Sequence, residues 1–124
     1  MSEQTAAPIC RSAELVDGGL GVRFSFERNG GTLSAFVVRH DGKVYAYENA
    51  CAHIPVELDY RDGEFFDLSR RYLVCATHGA YYAPETGVCL GGPCAGRRLA
   101  VIGVVEHDGA VWLQDPDPIL KPLN

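Results

Sequence analysis

No stretch of the chain approaches the run of about 18 apolar residues that a membrane-spanning helix needs. The opening residues, "MSEQTAAPIC", lack the basic segment followed by an apolar one that marks a secretory signal. A cytoplasmic location is therefore expected, where cysteines stay reduced or hold metal. Basic charge is scarce. With 11 Lys and Arg against 16 Asp and Glu, the net charge is -5. That speaks against nucleic-acid binding, which needs a basic surface. It suits docking on a basic partner face, and serves solubility equally well. There is no internal repeat long enough for a solenoid. The 124 residues suit one domain, 1–124, with one modest core.

Helical spacing is also missing, and alternation takes its place. In "GVRFSFERNGG", Val22, Phe24 and Phe26 share one face and Arg23, Ser25 and Glu27 the other. This predicts a half-buried strand ending in an Asn-Gly-Gly turn. "TLSAFVVRHDGK" predicts the next strand and a turn, and "VYAYEN" a third strand. "LAVIGVVEHDGAVWL" repeats the pattern, with a hairpin turn at Asp108 and Gly109. The tail, broken by Pro116, Pro118 and Pro122, is expected to wrap the surface irregularly. The fold class is all-β. A base over about 8–48 and 97–118 is expected to bracket an inserted subdomain, about 49–96, that holds four of the five cysteines. Within it, residues 59–72 carry charges of both signs and read as a turn-rich excursion.

That subdomain contains two short Cys/His pairs, Cys51-x-His53 and Cys75-x-x-His78, the second followed by Gly79. Tight loops with such spacings aim two side chains at one point. Two loops facing each other supply two thiolates and two imidazoles. Chance gives each spacing roughly 0.16 times in a chain of this composition, so both together are a signal. Zinc accepts the same four donors in a closed site, and a structural Cys2His2 zinc module fits the spacing too. His40 and His107 each precede Asp-Gly and are expected in solvent-facing turns. Cys10, Cys89 and Cys94 are expected to be half-buried thiols, with a Cys89–Cys94 disulfide disfavoured in a reducing compartment. Trp112 is expected in the core. Tyr81 and Tyr82 should point in opposite directions.

"CAH", then "CATHGAYYAPETG" and "GGP", resemble the Rieske [2Fe-2S] proteins, especially the small soluble Rieske-type ferredoxins, from about Val22 to Leu113. The resemblance implies an antiparallel β-sandwich base with an inserted cluster-binding subdomain. It implies one [2Fe-2S] cluster per chain, with Cys51 and Cys75 on one iron and His53 and His78 on the other. Gly91, Gly92 and Pro93 would match the loop that covers the cluster. The implied function is one-electron transfer between a ferredoxin reductase and a terminal oxygenase or other oxidoreductase, or a place as a small redox subunit of a larger one. Cytochrome bc-type relatives carry an extra cysteine in each ligand loop; here Val56 and Thr77 stand there, so that bridge cannot form. Ala80 stands where those relatives have a serine that donates to the cluster, whereas Tyr82 matches their tyrosine. Oxygen activation itself is not expected, because a mononuclear iron site needs two histidines and a carboxylate. Only His40 and His107 would remain for it.

Overall fold

The structure is a computed structural model, and it describes residues 8–28, 30–50, 57–59, 63–75, 79–92, 96–114 and 119–121. Eleven strands are found among them: β1 (Cys10–Arg11), β2 (Val22–Arg28), β3 (Gly31–His40), β4 (Lys43–Glu48), β5 (Leu73–Val74), β6 (Tyr81–Tyr82), β7 (Cys89–Gly91), β8 (Val101–Ile102), β9 (Val104–His107), β10 (Ala110–Leu113) and β11 (Ile119–Lys121). They form a five-stranded sheet in the order β11-β2-β3-β4-β8 and two three-stranded sheets, β1-β10-β9 and β5-β6-β7. Every pairing in these sheets is antiparallel. The expected all-β class is the class observed.

The central strand explains how three layers hold together. Ala35, Phe36, Val37 and Val38 of β3 are all fully buried. Successive side chains of a strand point to opposite faces, so β3 supplies both cores. Ala35 and Val37 join Phe24, Phe26, Ala46, Ile102 and Val111 on one side. Phe36 and Val38 join Tyr47, Leu58, Phe65, Leu73, Cys75, Tyr82 and Leu99 on the other. A strand buried on both faces loses its polar alternation, and "AFVV" shows this. The second core is topped by β5-β6-β7 and by the residues before β5.

Two expectations along the chain need correction. The tail is not wholly irregular, since β11 pairs with β2 through Ile119↔Glu27, Leu120↔Phe26 and Lys121↔Ser25. Three residues between Pro118 and Pro122 keep their N–H groups, and an edge strand offers them partners. The expected strand through "LAVIGVVEH" divides at Gly103: β8 pairs with β4 in one sheet and β9 with β10 in another. The chain changes sheets there.

Arg39 ties the layers at one end. Its guanidinium donates to the carbonyls of Leu15, Gly42 and Ser12 and to both oxygens of Glu106, at 2.5 and 3.1 Å. Hydrogen bonding from Arg39, then from Ser12, holds the Glu106 carboxyl below its ordinary value. A depressed carboxyl contributes stability that is complete above the unfolded value, about 4.3. It is lost as pH falls through the folded value. Glu106→Gln is therefore expected to lower stability by about 1–2 kcal/mol at pH 7, and urea melts of variant and wild type should converge as pH falls through the lowered folded value. A constant gap down to strong acid would show that charge plays no part.

Candidate metal-cluster site

Strand β5 delivers Cys75 into the second core, where its side chain is fully buried. Cys75 is outside any disulfide. The turn that follows is closed by two backbone hydrogen bonds, Gly79 N–H to the Cys75 carbonyl and Cys75 N–H to the Ala80 carbonyl, each 2.8 Å. Gly79 has φ +74, and a Cβ there would meet nothing within 4 Å. Its dihedral, not its space, calls for glycine. Beyond it, Ala80 and Tyr82 are buried while Tyr81 is 39% exposed, so the two tyrosines alternate as expected.

The diglycine lies directly against this turn. A Cβ on Gly92 would stand 2.8 Å from the Ala80 Cα and 3.2 Å from the Gly79 carbonyl. The backbone of "GG" thus runs in contact with the loop that begins at Cys75. Tyr81 and Tyr82 pair with Gly91 and Cys89, with a register shift between them. Leu90 is left half exposed beside that shift.

Of the four proposed ligands, Cys75 is described; Cys51, His53 and His78 lie outside the described residues, as do Val56, Thr77, Pro93 and Cys94. Among the described residues no group of three or more His, Cys, Asp or Glu converges on a possible metal position. What is described around the first pair is its two ends. Asn49, 4% exposed, and Asp59, 6% exposed, are buried and bonded to each other at 3.1 Å. Nothing in the sequence marked them, because an amide and a carboxylate ten positions apart read as ordinary loop residues.

The other singled-out residues divide. His107 is exposed and stacks on Trp112 with ring centroids 5.2 Å apart. Trp112 is therefore a half-buried surface residue rather than core, with its indole N–H donating to the His107 carbonyl. His40 is not a free turn residue: its side chain is 19% exposed, 3.2 Å from Glu85, and stacked near Phe66. Cys10 is buried, which pushes its thiol up to about 11, helped by the nearby Glu14 charge. Cys89 is disulfide-bonded, with its partner outside the described residues. The expectation of a thiol at Cys89, drawn from the compartment alone, is overturned.

Fold and loop together define an all-β protein built around a thiol-bearing turn covered by a diglycine segment. The chain belongs to the Rieske [2Fe-2S] domain family, which it matches over residues 5–112. Among solved structures, the Sphingomonas yanoikuyae B1 ferredoxin superposes with a TM-score of 0.66 at 24% identity, over 90% of this chain and 100% of that one. The ferredoxin of carbazole 1,9a-dioxygenase from Nocardioides aromaticivorans IC177 gives a TM-score of 0.65 at 21% identity, over 89% and 97%. The terminal oxygenase of carbazole 1,9a-dioxygenase from Novosphingobium sp. KA1 gives 0.72 at 23% identity, over 98% of this chain and 32% of that one. At these identities the likeness is one of fold. No curated protein matches the chain.

A [2Fe-2S] cluster is the group this family carries, and the described residues fit it. Cys75 is buried and outside any disulfide, and the packing of Gly92 against Gly79 and Ala80 leaves no room for a side chain between them. Two thiols and two imidazoles are the donors a Rieske centre uses.

Proposed function

We propose that Cys51 and Cys75 hold one iron of the cluster and His53 and His78 the other, and that the chain is a one-electron carrier. The observation that carries this reading is the Cys75 turn: a buried thiol at a strand end, a left-handed glycine and a diglycine cover. Residues 49–96 are the cluster-binding subdomain of this reading, and 8–48 with 97–118 its base. Bound there, the cluster accepts and releases one electron. Two neutral imidazoles in place of two anionic thiolates reduce its negative charge by two, which raises the potential. The partners proposed are a ferredoxin reductase and a terminal oxygenase or related oxidoreductase, in the cytoplasm. The two ferredoxin likenesses, each covering nearly the whole of both chains, favour a diffusing carrier. The oxygenase likeness, over 32% of that chain, favours the second reading, a redox unit fixed to a larger oxidoreductase.

Iron, sulfide and EPR on the purified protein test the assignment. Two irons, two acid-labile sulfides and a signal on reduction are expected; stoichiometric zinc without sulfide would overturn it. Tyr82 gives a finer measurement. In this reading its hydroxyl donates to the Cys51 sulfur and stabilises the more negative reduced state, while Ala80 offers no donor. A hydrogen bond differing by about 1 kcal/mol between redox states shifts a one-electron potential by about 40 mV. Tyr82→Phe is therefore expected to lower the midpoint by tens of millivolts with the cluster assembled. Tyr81→Phe, on the exposed side, should leave it in place. An unchanged midpoint in Tyr82→Phe would assign that hydroxyl to packing alone.

A further inference from the structure

The segment that carries Cys51 and His53 leaves the end of β4 and returns to the core at Leu58. Its two ends meet at one side chain. The Asn49 N–H donates to the Ser34 carbonyl at 2.8 Å, which seats the residue against β3. Its side-chain oxygen accepts the Leu58 N–H at 2.9 Å, and its amide nitrogen donates to Asp59 Oδ1 at 3.1 Å. One amide thus uses both its acceptor and its donor on residues nine and ten positions ahead. Asp59 is used on both oxygens as well: Oδ2 accepts the Gly63 N–H at 2.9 Å and stands 3.6 Å from Arg23 Nε. Arg23 Nη2 donates in turn to Glu57 at 2.6 Å, on the returning arm of the same loop. The Asp59 side chain is fully buried and Leu58 beside it is fully buried.

Polar groups in such a place do not serve stability first. Buried ionic groups replaced by well-packed apolar ones often leave a protein as stable or more so. What a satisfied buried network supplies is one arrangement in preference to others. Val56 and Thr77 provide no thiols to fix the loop covalently. We propose that Asn49 and Asp59 are positioning residues: their hydrogen-bonded pair locks the two ends of the Cys51–His53 loop together and so sets where those ligands stand. The proposal rests on the ligand assignment above and acts through the loop, since neither residue is itself a ligand.

The pair can be exchanged. With Asn49→Asp alone, two carboxylates face each other in a buried site and the loop ends repel. With Asn49→Asp and Asp59→Asn together, the donor and acceptor trade places. The Leu58 and Gly63 N–H groups both keep an oxygen to bond. The test follows the as-purified holoprotein by EPR g values, midpoint potential and rate of loss of visible absorbance in air, beside its thermal melt. Asn49→Asp is expected to bleach about tenfold faster or more and to broaden or shift the g values, and the double exchange to restore both toward wild type. Wild-type g values, potential and bleaching rate in Asn49→Asp would overturn the lock, as would a lower melting temperature with those three unmoved. Failure of the double exchange to recover any of them would overturn it as well. Should Asn49→Asp not accumulate as folded protein, Asp59→Asn alone decides. Its single oxygen keeps the Gly63 bond and its amide NH2 then faces the Asn49 NH2, so the bond between the two residues is lost together with the charge. A shift in bleaching rate and g values supports the lock, and wild-type values in both overturn it. A wild-type protein without iron and sulfide would sink the ligand assignment instead, before any variant is compared.

Discussion

Alanine at Gly92 is expected to lower stability by about 2–4 kcal/mol and to leave the purified protein largely without its cluster. Two separate strains add. Gly92 has φ +92, a dihedral that side-chain-bearing residues reach at a cost of about 1–3 kcal/mol. Its added Cβ would also press on backbone, 2.8 Å from the Ala80 Cα and 3.3 Å from the Ala80 nitrogen. A flexible side-chain tip could swing aside; the main chain of the turn after Cys75 can move only by opening that turn. Gly96 separates the two strains. It has φ +90, and a Cβ added there would meet nothing within 4 Å. Gly96→Ala should therefore show the dihedral strain alone, about 1 kcal/mol, and keep its iron. Urea melts and iron-to-protein ratios of the two variants make the comparison. Equal losses at Gly92 and Gly96 would mean that the diglycine does not bear on the turn.

Where one face of a strand is buried and the other wet, the sequence was readable. Val22, Phe24 and Phe26 alternate with polar residues, and Phe24 and Phe26 are buried as that pattern requires. The turn at Asp108 and Gly109 joins β9 to β10. Short pairings were not readable. The strands at Cys10–Arg11 and Ile119–Lys121 have two and three residues, too few for a period to show. They exist because β10 and β2 offered open edges, a tertiary fact with no local trace.

At the site, readability followed the chemistry of each residue. Cysteine and histidine are rare enough that a spacing between them stands out, and this pointed to Cys75. Asn49 and Asp59 are common loop residues whose role depends on burial and on each other, and a linear pattern carries neither. Cys89 shows the opposite error. Its expected thiol came from a rule about compartments, and the structure gives it a disulfide instead.

The excursion before β5, read from the sequence only as charged and turn-rich, contributes one of the large fully buried side chains of the second core. Phe65 is fully buried and stacks on Phe36 with ring centroids 3.9 Å apart and planes within 12°. Its carbonyl accepts the Val74 N–H at 2.9 Å, one residue before Cys75. Phe66 forms an isolated bridge with Leu73. The phenyl group thus seats on the central strand while its backbone guides the strand that delivers the thiol. Removing it leaves a cavity beside Phe36 that the stacked ring cannot fill by itself. Phe65→Ala is expected to destabilise the protein by about 3–5 kcal/mol, the usual loss for a fully buried aromatic. Through β5 it should also loosen Cys75, so the cluster should bleach well before the base sheet unfolds. Phe66, next in the chain, is only half buried and faces His40. Phe66→Ala should cost about 1 kcal/mol and leave the cluster in place. Urea unfolding followed separately by visible absorbance and by far-UV dichroism distinguishes the two. Coincident transitions in Phe65→Ala would show that β5 and the base unfold as one unit. A loss no larger than that of Phe66→Ala would remove the excursion from the core and return it to the surface.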